Sequence, residues 1–229
     1  MDEKIKVLLA EDDLQLGFII KDNLEEAGYE VTNCPDGESA WDFFQKINPD
    51  ICLLDVNMPI KDGFSVARKI RQKSDVVPIL FITAKSLEED KLKGFESGAD
   101  DYITKPFSMK ELLVRMNVFL RRSRMLINDT QPEFKLGKLV FLPQEMKIRE
   151  GEHDISLTQR ESELLEFFCN HPNKVLKRED ILTHVWGKND FFLGRSMDVF
   201  VTKLRKHLAP EKKVSVETIH GVGYRFNQE

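Results

Sequence analysis

Two rhythms of apolar and polar residues divide this chain. In the first 123 residues, short unbroken apolar runs such as Val7 to Ala10, Ile51 to Leu54 and Ile79 to Ile82 alternate with stretches whose apolar residues return every three or four positions. Runs of that length that do not alternate with polar residues read as strands buried on both faces. The order predicted is strand 4–10, helix 14–27, strand 29–34, a helix begun near Asp36, strand 51–55, helix 63–72, strand 78–83, a helix, strand 100–104 and a final helix. The first helix carries Leu16, Ile20, Leu24 and Ala27 and is closed by Gly28 as its C-terminal cap; the second carries Ala40, Phe43 and Ile47. Capping boxes open the last two, Ser86-Leu87-Glu88-Glu89 and Ser108-Met109-Lys110-Glu111. Five such alternations predict a doubly wound α/β domain, flavodoxin-like, on a five-stranded parallel sheet.

The rhythm stops at residues 124–132, where Asn, Asp, Thr, Gln and Pro replace periodic apolar positions and mark a linker. Short strand signals follow at 134–136, 139–141 and 146–149, with a stub at Ile155, punctuated by Gly137, Pro143 and Gly151. A third capping box, Thr158-Gln159-Arg160-Glu161, begins a helix with Leu164, Leu165 and Phe168. A helix over 178–186, an eight-residue loop from Gly187 to Gly194, a helix over 195–208 and a hairpin over 214–226 complete the pattern. Such a loop is longer than the roughly 3–4 residues of a tight helix-turn-helix. At about 100° per residue, Met197, Val201, Leu204 and Leu208 share one face of the third helix. Arg195, Asp198, Val199, Thr202, Lys203 and Lys206 share the other.

Charge sharpens the division. Residues 1–123 hold 17 basic against 23 acidic residues, whereas residues 124–229 hold 17 against 16. The acidic half repels polyanions and the second half tolerates one. Cys34, Cys52 and Cys169 are scattered among apolar residues, with neither metal spacing nor a disulfide framework, as in a reducing compartment. Apolar runs fall far short of the ~20 residues that span a bilayer. A cytoplasmic location is expected, without membrane partners.

The chemistry gathers where strands end. Glu11, Asp12 and Asp13 follow the first strand, Asp55 the third, Thr83 the fourth and Lys105 the fifth. Carboxyl ends of such strands are where open α/β sheets bind ligands. Carboxylates crowded there repel by roughly 4 kcal/mol per pair at 4 Å in an effective dielectric of 20, so the cluster needs a cation. Oxygen-only ligands with room for phosphate oxygens suit Mg²⁺, and a carboxylate that attacks phosphorus as a nucleophile forms an aspartyl phosphate. A dinucleotide-dependent enzyme is excluded, because acids stand where a glycine-rich phosphate turn would be. An aspartyl-phosphate phosphatase wants a second Asp two positions after the nucleophile; this chain has Asn57, which supplies no proton there. Asp13 reads equally well as a ligand or as the cap of the first helix.

Residues 1–123 resemble the receiver domain of bacterial two-component response regulators. The likeness rests on Glu11-Asp12, Leu54-Asp55-Val56-Asn57-Met58-Pro59, Thr83-Ala84 and Gly98-Ala99-Asp100-Asp101-Tyr102-Ile103-Thr104-Lys105-Pro106-Phe107. It implies that Asp55 is the phosphoacceptor and that Asp12, Asp55, Glu11 (through water) and the Asn57 carbonyl hold the metal. Thr83 and Tyr102 are then the switch pair, Lys105 the phosphate contact, and the Lys105-Pro106 bond cis. Residues 133–229 resemble the winged helix-turn-helix α+β domain of the OmpR/PhoB family, with Gly221-Val222-Gly223-Tyr224-Arg225-Phe226 in the wing. That likeness implies double-stranded DNA as partner. Lys203 is expected at guanine, Val199 at a thymine methyl, and Arg195, Thr202 and Lys206 at phosphates. Asp198 lies on the same face, with Thr218 and His220 in the wing; many relatives carry Arg at the position of His220. In that family the long loop can touch RNA polymerase, and polymerase is an expected partner, though Phe191 and Phe192 are read first as packing inward. Lys91 with Glu111, Asp101 with Arg115 and Asp100 with Arg122 are expected to pair across a two-fold receiver dimer. The whole implies a regulator rather than an enzyme: a sensor histidine kinase phosphorylates Asp55, and the homodimer binds direct-repeat promoter sites.

Overall fold

The computed structural model describes residues 4–84, 94–124, 133–187 and 191–229, without the side chains of 121–124 and 191–196. The box Ser86–Glu89, Lys91 and nearly all of the linker therefore lie outside the described residues, as do the side chains of Arg122, Arg195, Phe191 and Phe192. The chain separates into two compact units, residues 1–126 and 127–229.

The first unit alternates β1 (Lys6–Ala10), α1 (Leu14–Glu26), β2 (Glu30–Cys34), α2 (Gly37–Ile47), β3 (Ile51–Leu54), α3 (Gly63–Lys73), β4 (Ile79–Thr83), β5 (Asp101–Thr104) and α4 (Met109–Arg124). All five strands are parallel, in the order β2-β1-β3-β4-β5. The unbroken apolar runs are explained by burial: Val7, Leu8, Ile51, Leu53, Ile79 and Leu80 are fully enclosed between the helical layers. One face packs on Ile20, Leu24, Leu112, Met116 and Phe119 from α1 and α4. Asp13 and Asp36 cap α1 and α2, each accepting two backbone N–H groups, so the cap reading of Asp13 is the one the geometry favours. The Ser108 hydroxyl caps α4, accepting from Glu111 N–H at 3.1 Å. The Lys105-Pro106 bond is cis.

The second unit begins with an antiparallel sheet of β6 (Phe134–Leu136), β7 (Leu139–Leu142), β8 (Lys147–Glu150) and β9 (His153–Ser156). Then come α5 (Gln159–Cys169), β10 (Val175–Lys177), α6 (Arg178–Trp186), α7 (Phe191–Leu208) and the hairpin β11 (Val214–Ile219) and β12 (Gly223–Gln228). The capping box at α5 is reciprocal, Thr158 and Glu161 each serving the other's backbone. Met197, Val201, Leu204 and Leu208 are buried, as the wheel predicts, and Phe200, which it did not include, is buried with them.

Two expectations change. The third helix starts at Phe191, four residues before Arg195, so the second half of the loop expected over Gly187 to Gly194 belongs to the helix. Gly194 lies within that helix, where a single glycine costs only about 1 kcal/mol. The strand β10 was not expected. It has only three residues and pairs with β12, forming the sheet order β10-β12-β11. A Cβ at Gly223 would stand 1.9 Å from the Leu176 carbonyl oxygen, and glycine is what lets these strands approach. Among the described residues no helix is long and apolar enough to cross a membrane.

Candidate functional site

Strand register assembles the acidic pocket. Ala10 lies beside Leu54 in the sheet, and Asp55 N–H donates to the Ala10 carbonyl at 2.8 Å, so Glu11 and Asp55 leave neighbouring strands side by side. Lys105 comes from the far side of β4, its N–H donating to the Thr83 carbonyl at 2.9 Å. Its ammonium reaches back to Asp55 Oδ2 at 2.5 Å and Glu11 Oε1 at 2.7 Å. The other Asp55 oxygen, Oδ1, accepts from Asn57 N–H at 2.9 Å.

Glu11, Asp12 and Asp55 each present an oxygen within 4.8 Å of the others. Glu11 and Asp55 are buried and Asp12 is exposed, so the cluster opens to solvent on one side. Burial pushes the Glu11 carboxyl above its usual range, against the pull of Lys105. Burial works against the Lys105 charge too, but hydrogen bonds to Asp55 and Glu11 outweigh it and hold the ammonium above its ordinary value. Glu11 Oε2 is buried with no hydrogen-bond partner among the described residues. An enclosed carboxylate oxygen beside two further acids fits a hard divalent cation.

Thr83 is fully buried at the end of β4. Tyr102 is also buried, its ring 5.9 Å from that of Phe81 and 6.5 Å from that of Phe95. Gly63, which nothing in the sequence pattern singled out, closes the loop after β3 by donating its N–H to the Val56 carbonyl at 3.0 Å. A Cβ there would lie 2.2 Å from the Asp55 carbonyl oxygen, so the loop that carries Asp55 has no room for a side chain at this position.

The charged residues expected at a dimer face divide. Arg115 bridges Asp101 at 2.6 Å and Glu111 at 3.0 Å within one chain. Asp100 is not on a surface at all: it is fully buried, accepting from Arg71 Nη2 at 2.6 Å and Ile79 N–H at 2.9 Å. Alternation along the chain sends Asp100 and Asp101 to opposite sides, and Arg71 claims the first. Arg71 also donates to the carbonyls of Ser74, Val77 and Gly98, and nothing in the sequence pattern singled it out. The three cysteines are buried, and burial raises each thiol, that of Cys34 to about 11, which leaves them unreactive.

On α7 the polar arc is narrower than the wheel suggested. Val199 is half-buried, and Thr202 and Lys206 are exposed. Asp198 accepts from Arg178 Nη2 at 2.7 Å and from the Tyr224 hydroxyl, a bond to α6 and one to the wing. Lys203 lies on the flank, 3.7 Å from the buried Glu161 carboxylate, with His207 at 3.8 Å on the other oxygen. Asp198 and Lys203 thus each have a partner within the domain while remaining exposed and partly exposed, respectively. Arg205, on the opposite flank, donates to the Val216 carbonyl and to Thr218 Oγ1, both at 2.8 Å. His220 and Val222 are exposed at the tip of the hairpin, where Gly221 adopts φ 74°.

Known proteins share this layout. Residues 7–117 match the model of the response regulator receiver domain, and residues 151–226 that of transcriptional regulatory protein, C terminal. The transcriptional regulatory protein RprY of Bacteroides fragilis is 45% identical over 226 residues, which cover 99% of this chain and 96% of that one. The transcriptional regulatory protein TrcR of Mycobacterium tuberculosis is 36% identical over 222 residues, 96% of this chain and 86% of the relative. Among solved structures, the response regulator DrrB of Thermotoga maritima, described as an OmpR/PhoB homolog, matches with a TM-score of 0.52 at 28% identity. The match covers 98% of this chain and 100% of that one.

Proposed function

The chain belongs to the OmpR/PhoB family of DNA-binding two-component response regulators, and from that premise we propose that Asp55 takes a phosphoryl group from a sensor histidine kinase and thereby controls promoter binding. The observation that carries this reading is the Lys105 ammonium 2.5 Å from Asp55 Oδ2, beside Glu11 and Asp12. In the transfer, an Asp55 carboxylate oxygen attacks phosphorus and forms a mixed anhydride. The bond from phosphorus to the donor nitrogen breaks, its electron pair leaving with the donor imidazole. Glu11, Asp12, Asp55 and the Asn57 carbonyl would hold Mg²⁺, which when bound offsets the charge of the incoming phosphoryl oxygens. Lys105 sits where it can follow one of those oxygens, and Thr83 supplies a hydroxyl donor. Asn57 offers no acid or base to a water, so the anhydride outlives its formation and the protein acts as a switch rather than a phosphatase.

Shifting a two-state equilibrium from 1:99 to 99:1 takes about 5.5 kcal/mol of differential interaction. A charge-assisted hydrogen bond of about 1.5–3 kcal/mol from Thr83 to the phosphoryl group supplies part of it, and Lys105, already bonded to Asp55, adds the difference between its present bond and one to a phosphoryl oxygen. Tyr102 adjoins that change and transmits it to β5 and α4. There Asp101, Glu111 and Arg115, with Lys91 and Arg122, form the face of a two-fold receiver dimer, and the bridges now within one chain exchange for bridges between two. The pair of winged helices then reads direct-repeat half-sites about one helical turn apart, in contact with RNA polymerase in the cytoplasm.

The test is incubation with Mg²⁺ and phosphoramidate, followed by intact mass and light scattering. A single phosphoryl adduct and a dimer are expected for the wild type, and neither for Asp55→Asn. An adduct that persists in Asp55→Asn overturns the assignment.

A further inference from the structure

The helix α7 is joined to the hairpin at two points. Asp198 and Arg205 are seven positions apart, which at about 100° per residue puts them on one side of the helix, roughly 10 Å from each other along its axis. Asp198 Oδ1 accepts from the Tyr224 hydroxyl on β12. Arg205 donates to the Val216 carbonyl and to Thr218 Oγ1 on β11, both at 2.8 Å. Thr218 and Tyr224 lie opposite each other in the hairpin register, so α7 takes hold of a single cross-strand pair from both strands. Arg178 completes the first point. Its Nη1 donates to the Tyr224 hydroxyl at 2.9 Å and its Nη2 to Asp198 at 2.7 Å, with the guanidinium 5.3 Å from the centre of the Tyr224 ring. The Arg178 N–H donates to the Val222 carbonyl at 3.2 Å, in the turn of the hairpin.

We propose that Tyr224, Arg178 and Arg205 are positioning residues for DNA reading: acting through α7, they fix helix and hairpin as one body, so that both meet the duplex at a set spacing. This inference rests on the DNA-binding reading above and concerns how that reading is aligned. A single contact leaves a helix free to swivel about it, whereas two contacts separated along the axis define its direction. The apolar face of α7, with Met197, Val201, Leu204 and Leu208, is already buried. Burial of that kind is non-directional and resists withdrawal more than a small rotation; hydrogen bonds depend on angle. The Arg178 and Asp198 side chains are 35% and 52% exposed, and an ion pair so open to water adds little stability. What it adds is orientation. Surfaces held beforehand in their bound arrangement lose less freedom on binding, and the gain falls on the duplex that fits both at once. Contacts to phosphates alone make no such demand, because every duplex offers them.

The experiment selects binding sites for the full chain from a random duplex library with Mg²⁺ and phosphoramidate present, then compares the selected duplex with a random one. Tyr224→Phe removes the hydroxyl at the first point. Arg205→Lys leaves one amine where a planar fork held two oxygens at the second, and both variants keep the net charge. In each, affinity for the selected duplex is expected to fall about tenfold, the worth of one hydrogen bond to a charged group. Affinity for the random duplex and its salt dependence should stay within about twofold of the wild type, since the phosphate contacts are untouched. Hydroxyl-radical footprints are expected to lose protection under the hairpin and to keep it under α7, with circular dichroism unchanged. The double variant should lose little more than either single one, because a helix released at one point already swivels. Equal losses on selected and random duplexes, no loss at all, or losses that multiply in the double variant overturn the inference. A wild type that takes a phosphoryl group on Asp55 but enriches no sequence removes the DNA-reading premise, and this inference with it, while leaving phosphorylation standing.

Discussion

Lys105 Nζ and Asp55 Oδ2 stand 2.5 Å apart, and the same ammonium meets Glu11 at 2.7 Å. One cation therefore holds together two buried acids from neighbouring strands. Lys105→Met leaves them facing each other uncompensated, and a loss of about 3 kcal/mol of receiver stability is expected at neutral pH. Millimolar Mg²⁺ should return most of it. Urea titrations with and without the ion measure both effects; a variant as stable as the wild type without Mg²⁺ contradicts the role given to Lys105.

Gly63 leaves no room for a side chain beside the Asp55 carbonyl, 2.2 Å from where its Cβ would be. Gly63→Ala must push the acceptor loop aside. Phosphoryl uptake from phosphoramidate is expected to slow roughly tenfold or more, because sub-ångström placement governs the attack. Circular dichroism should remain that of the wild type, and an unaltered rate would mean the loop yields without moving Asp55.

Arg115 makes two bridges of unequal worth. The Asp101 side chain is 5% exposed and the Glu111 side chain 45%. In dilute, unphosphorylated protein Arg115→Ala is expected to cost about 3 kcal/mol, since it strands the enclosed Asp101. Glu111→Ala should cost under about 1 kcal/mol there. Dimerisation after phosphorylation, followed by light scattering, is expected to weaken in both.

Burial, and then the bond to Asp198, push the Tyr224 phenol up to about 12. A tyrosine in the unfolded chain ionises near pH 10. The unfolded state therefore sheds its proton first, and the contribution of this phenol to stability, complete below about pH 10, declines as pH rises toward about 12. Guanidinium unfolding of the DNA-binding unit across that window should show the decline in the wild type and a flatter course in Tyr224→Phe.

The sheet was legible because strands enclosed on both faces leave no polar interruption, and the pocket because its acids stand just past those runs. What the pattern could not show is which charge meets which. Asp100 and Asp101 are adjacent and identical, yet one is sealed against Arg71 and the other bridges Arg115. Asp198 and Lys203 sit on a polar arc, but their partners come from α5, α6 and β12, far along the chain. A helical wheel ranks positions by angle alone, and these pairings depend on where three other elements end. The strand β10 escaped for a related reason, since three residues carry no period and its register comes from β12.

In the strand order β2-β1-β3-β4-β5, the lysine that completes the pocket follows β5, the border strand that is synthesised last. A chain still emerging from the ribosome carries its acids at 11, 12 and 55 long before residue 105 arrives to counterbalance them. Until that residue joins the sheet the three acids have no ammonium between them, so the charge balance of the pocket is set only by the last strand to be added.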